Sequence, residues 1–184
     1  MLNTILDEIQ KSLDNECFIA ALTMALTLPD ICGKAEYPNE KSTKKRYIDW
    51  YTEYMGQYEK PPAAFEDNLP YSNGEIVYSL RCFMLHQGTP TIDVQGIKEE
   101  QCKVNSFLLI IDDAMVGGSA CANRSPDQKV EHRALEVNIV NLCTKLLLNA
   151  RWYYGNNQDK FGFLQCEIQD RRSVHWDLYG YDYS

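Results

Sequence analysis

Arg81 and His86 stand five residues apart in the run Arg81-Cys82-Phe83-Met84-Leu85-His86, and they join the two side-chain types that phosphoryl chemistry without a metal calls for. The guanidinium is always charged, and its planar fork grips two phosphate oxygens together. The imidazole changes protonation near neutral pH and so takes or gives a proton. Such a pair suits cleavage of RNA. A base removes the 2′-hydroxyl proton, the oxygen attacks the adjacent phosphorus, an acid protonates the leaving oxygen, and the cation steadies the pentacovalent charge. In that chemistry His86 transfers the proton and Arg81 holds the phosphate. A competing role is structural: Arg81 ties to a carboxylate such as Asp30 or Asp49, and His86 caps carbonyls at a helix end. Arg81 buried against a carboxylate would favour the structural role; Arg81 and His86 facing a cleft in a symmetric dimer would favour the chemical one.

The elements around the pair decide whether it can work. Ser72-Asn73-Gly74-Glu75 reads as a capping box, with Ser72 bonding the third amide and Glu75 reaching back, and it opens the helix that carries Arg81 and His86. Ile76, Leu80, Phe83 and Met84 form the predicted buried stripe of that helix, and Gly88 followed by Thr89-Pro90 stops it within a turn of His86. On an ideal helix, residues five apart point roughly 140° away from each other. Convergence therefore relies on the length of Arg81 and on relaxed geometry in the last turn, where the helix dipole also favours imidazolium.

The other elements follow from periodicity. Leu2, Ile5, Leu6, Ile9 and Leu13 repeat at helical spacing, and after Asp14-Asn15 a second apolar helix spans about 16–28, so the two pair as a hairpin. Pro29 interrupts the second helix, residues 31–33 continue it as a kinked turn or begin a short helix, and Asp30 sits at the break, where a carboxylate caps amides. Tyr47, Trp50, Tyr51 and Tyr54 turn with a third helix, which Pro61-Pro62 closes; its rings serve either packing or base stacking. Phe107-Leu108-Leu109-Ile110-Ile111 reads as a buried strand, 115–120 as a loop, and 132–137 as a second strand that completes a small hairpin-like sheet. Asn138 caps a helix over about 139–154, with Ile139, Cys143, Leu146, Leu147 and Ala150 on one face. The expected fold is mainly α: a helical domain over 1–155 with a strand-containing insertion at about 103–137, then an aromatic and acidic extension over 156–184.

Composition narrows the partners. The net charge is −8 over 184 residues, and from 61 to 115 eight acids face three bases. A long phosphate backbone calls for a basic stripe, and the one basic run, Lys41, Lys44, Lys45 and Arg46, reads as a solvated helix start, so any nucleic-acid contact is local. The 7 cysteines are spread singly without a C-x-x-C pair, which points to free thiols in a reducing cytoplasm. No export signal and no membrane span are expected. His132 and His175 lack companions at ligand spacing, so no metal and no cofactor is expected either.

Paired N-terminal helices, an aromatic helix, and then a capped helix bearing Leu80-Arg81-Cys82-Phe83-Met84-Leu85-His86-Gln87-Gly88 resemble the HEPN superfamily of helical proteins, marked by R-x4-6-H. The likeness covers roughly 2–88 and the helix at 139–154. It implies a HEPN-like bundle and, for catalytic members, a metal-independent endoribonuclease of defence or toxin-antitoxin systems whose motifs meet across a homodimer. Arg81 and His86 are the positions that match. Catalytic members often carry Asn or Asp directly after the arginine, where this chain has Cys82. Other members are non-catalytic binding or antitoxin-like modules. The chain is then expected either to cut RNA or to bind a protein partner through an acidic face or its C-terminal extension.

Overall fold

The computed structural model describes residues 1–60, 70–87, 92, 96–112, 120–124 and 130–165. The chain is mainly helical, with a small sheet in its second half. α1 (Leu2–Asp14) and α2 (Phe18–Ala25) form the expected hairpin, turned by Glu16 at a φ of 57°. Leu2, Leu6 and Ile9 are the buried residues of α1, the period the sequence displays. The second helix ends at Ala25, and α3 (Leu28–Glu36) starts with Pro29 in its first turn. An amide at that position has no partner within the helix, so proline opens α3 there without loss.

α4 (Thr43–Tyr51) begins at Ser42, whose Oγ accepts from the Lys45 amide at 3.2 Å. It runs on into a π-turn (Thr52–Gly56) and a single turn, α5 (Gln57–Glu59). Tyr47, Trp50 and Tyr51 are fully buried. These rings pack the core. α3 and α4 approach closely at Gly33, where an added Cβ would lie 2.6 Å from the Arg46 carbonyl oxygen.

α6 (Gly74–Cys82) passes into a second π-turn, Phe83–Gln87. A 3-10 turn at Glu100–Cys102 leads to β1 (Ser106–Ile110), β2 (Ala120–Arg124) and β3 (Val130–Asn138). The strand order is β1-β3-β2. The expected hairpin of the first and last strands is corrected here. β1 pairs parallel with β3, Phe107 opposite Leu135, whereas the antiparallel partner of β3 is β2. β2 begins where a loop was expected, because Ala-Cys-Ala-Asn-Arg holds no β-branched or aromatic residue to mark a strand.

α7 (Ile139–Asn156) starts at Asn138 as expected, with Asn138 Oδ1 accepting from the Asn141 amide at 3.0 Å. Leu142, Cys143, Leu146, Leu147, Ala150 and Tyr153 bury its inner face against α1, α2 and α3. Beyond it a 3-10 turn, Gln158–Phe161, folds back onto the bundle. Phe161 is buried with its ring 5.9 Å from that of Tyr153, and Lys160 Nζ lies 2.7 Å from Glu36 Oε2. Among the described residues, Phe18–Glu36 is long and apolar enough to cross a membrane, but half of that window is buried inside the bundle, as core helices are.

Candidate functional site

The helix that carries Arg81 is set by its start. Asn73, not Ser72, is its cap: Asn73 Oδ1 accepts from the Ile76 amide at 2.9 Å. Glu75 does not reach back to close a capping box, since its Oε2 accepts from the Lys98 amide at 2.7 Å. Asn and Ser cap equally well, so their order in sequence does not decide between them. Gly74 is required because a Cβ there would lie 2.9 Å from both the Ile48 carbonyl and Thr52 Oγ1, which seats the first turn of α6 against α4. Ile76, Val77 and Leu80 then bury one face, with Phe83 and Met84 half-buried beyond them.

That seating brings Arg81, in the last turn of α6, to Asp30, in the first turn of α3. Arg81 Nη2 and Nε stand 2.9 and 3.0 Å from Asp30 Oδ2. The side chains are 16% and 18% exposed. Burial works against the guanidinium charge, but Asp30 and, after it, Cys82 together hold Arg81 above its ordinary value. Asp49, the other carboxylate within expectation, is engaged by Lys45 at 2.6 Å. The Tyr78 ring stands beside the pair, with Arg81 Cζ 6.0 Å and Lys44 Nζ 5.8 Å from its centroid. Tyr47 meets the same ring edge-on at 5.3 Å.

His86 belongs to the π-turn Phe83–Gln87, which begins two residues after Arg81. A π-turn closes its bonds from i to i+5, so the ideal α-helical offset does not apply across it. The side chain of His86 and the stop signal at 88–90 lie outside the described residues, as do His175 and the side chain of His132. Among the described residues no three His, Cys, Asp or Glu side chains converge in the manner of metal ligands.

No family model, no curated protein and no solved structure matches this chain. Its own geometry has to carry the assignment. A cleft of about 530 Å³ opens at the first turn of α6, lined by Thr52, Gln57, Asn73, Glu75 and Lys98 among others. Seven residues of helix, roughly 10 Å, separate it from Arg81. The described residues carry nearly as many bases as acids, and the acid excess falls mainly in segments outside them. What the surface does offer is large apolar side chains: Tyr58, Leu148 and Trp152 are 76%, 63% and 61% exposed.

Proposed function

We propose that the chain is a HEPN-like helical module of the non-catalytic kind, which works by binding a protein partner. The observation that carries this reading is the engagement of Arg81. The Nε and Nη2 edge of a guanidinium is one that can grip a phosphate through two bonds, and in this chain both nitrogens serve Asp30 Oδ2. A phosphate would have to displace a carboxylate held at the favourable end of α3. Cys82, a weak hydrogen-bond donor where catalytic members often place Asn or Asp, agrees with a tie in place of an active site.

RNA incubated with the full chain in the presence of a chelator tests this reading. Neither the natural protein nor the His86→Ala variant is expected to cut it beyond the rate in buffer. Cleavage by the natural protein that disappears in His86→Ala would overturn the proposal.

That outcome would establish a second reading, the metal-independent endoribonuclease of a defence or toxin-antitoxin system working as a homodimer. A specific observation favours it: the histidine of the motif lies in a π-turn, and such turns recur at functional sites. In this reading Arg81 holds the phosphate, His86 moves the proton, and Lys44 adds positive charge beside the Tyr78 ring.

A further inference from the structure

We infer that the cleft at the start of α6 is a binding site for a small organic monocarboxylate with an apolar body, a function separate from partner binding. Its volume, about 530 Å³, is that of a pocket that encloses a small molecule. One wall comes from α4 and the π-turn after it, through Ile48, Thr52 and Gly56, and another from Asn73, Gly74 and Glu75 at the start of α6. Ile48 and the buried Tyr71 give the cleft apolar surface, and the two glycines line it without side chains, so the space between the walls stays open.

Asn73 supplies the observation that calls for a ligand. It lines the cleft and is only 8% exposed, and its Oδ1 is committed to the Ile76 amide at 2.9 Å. With the oxygen fixed in that way, the two donor hydrogens on Nδ2 belong to the other branch of the side-chain amide. Among the described residues nothing accepts from Nδ2. A donor held this deep is costly to leave unmet, and an acceptor atom in the cleft meets it.

The other groups around the cleft select the acceptor. Its acids are engaged: Glu75 accepts from the Lys98 amide at 2.7 Å and stands 3.9 Å from Lys98 Nζ, and Glu99 accepts from the Tyr71 hydroxyl at 2.7 Å. What remains is donors. The Gly74 and Glu75 amides open α6 and have no partner in the helix, and neither the Thr52 hydroxyl nor the Lys60 ammonium is bonded among the described residues. A carboxylate brings acceptor oxygens and a single negative charge, which Lys60 and the start of the helix both favour. A phosphate monoester brings about two negative charges beside Glu75 and Glu99, with Lys60 alone left to balance them.

Titration calorimetry of the full chain with 2-naphthoate tests the site, with 2-naphthamide as the uncharged match and 2-naphthyl phosphate as the dianion. The carboxylate is expected to bind at least about tenfold more tightly than either. Asn73→Asp keeps an oxygen to cap the Ile76 amide and puts a negative oxygen in place of the free donor, so the fold should hold while 2-naphthoate binding is lost. Lys60→Gln, at an exposed position, is expected to weaken 2-naphthoate about tenfold and to leave 2-naphthamide unchanged. Thermal melts check both variants, and if Asn73→Asp unfolds, Lys60→Gln decides alone. No binding by the natural protein at about 1 mM 2-naphthoate, or binding undiminished in a folded variant, overturns the site. Binding of 2-naphthamide as tight as that of the carboxylate removes the demand for charge, and equal or tighter binding of 2-naphthyl phosphate removes the choice of a monoanion; either overturns the proposal. The RNA cleavage assay and the protein-binding reading stand or fall apart from all of these outcomes.

Discussion

Arg81 and Asp30, 51 residues apart, join the last turn of α6 to the first turn of α3 through two bonds onto one carboxylate oxygen. Asp30 sits in the first turn of α3, where the helix dipole favours an anion, and Arg81 precedes the π-turn that carries the helix on to Gln87. Truncating one partner therefore removes the pair and leaves the other charge mostly out of solvent.

Arg81→Ala is expected to cost about 2 kcal/mol, between the small worth of surface pairs and the larger penalty of orphaning a buried charge. Asp30→Ala in the same background should restore part of that loss. Urea unfolding of the two single variants and the double variant measures the coupling. A coupling near zero would mean that the two helix ends are held together by other contacts.

The start of α6 separates two neighbouring residues. Asn73→Ala removes the acceptor of the Ile76 amide and should cost about 1 kcal/mol, while Ser72→Ala should stay within about 0.5 kcal/mol of the natural protein. Equal losses in thermal melts would return Ser72 to the capping role its sequence position offers.

Gly33→Ala tests the contact of α3 with α4. The new methyl would stand 2.6 Å from the Arg46 carbonyl oxygen, and backbone there cannot yield unless α4 moves. The overpacking cost of about 1 to 3 kcal/mol exceeds the helix-propensity gain of roughly 0.5 to 1 kcal/mol. The urea midpoint should fall; a rise would show that the helices can part without loss.

Glu36 makes stability depend on acid. A hydrogen bond from Lys160, then one from Tyr153 at 2.5 Å, hold its carboxyl below the ordinary value against the opposing effect of burial. A folded value below the unfolded one, about 4.3, contributes stability that is full above that pH and is lost as pH falls through the folded value. Glu36→Gln should therefore be less stable than the natural protein near pH 7, with the gap closing below about pH 4. A gap unchanged at acid pH would remove Glu36 from this role.

Much of the helical layout was legible because it rests on residues near one another in sequence. Leu2, Leu6 and Ile9 share a face by spacing alone, Asn138 caps α7 because an asparagine precedes an apolar-periodic run, and Tyr47, Trp50 and Tyr51 fall on one helix and are buried. Asp30 was one of two carboxylates within expectation for Arg81; the other, Asp49, pairs with Lys45 on its own helix. β2 escaped notice because its residues carry no strand preference, and the parallel pairing of β1 with β3 cannot be read from either strand separately.

By itself the sequence determined which stretches become the principal helices, where caps are available and where a cation and an imidazole come close along the chain, since these depend on contacts spanning a few residues. Tertiary structure alone decided that Arg81 spends its guanidinium on Asp30, that Asn73 and not Ser72 caps α6, and that Tyr58, Leu148 and Trp152 stay in solvent while Tyr153 is buried. Those outcomes follow from how α3, α4, α6 and α7 pack, because burial and ion pairing are settled by neighbours brought together from tens of residues away.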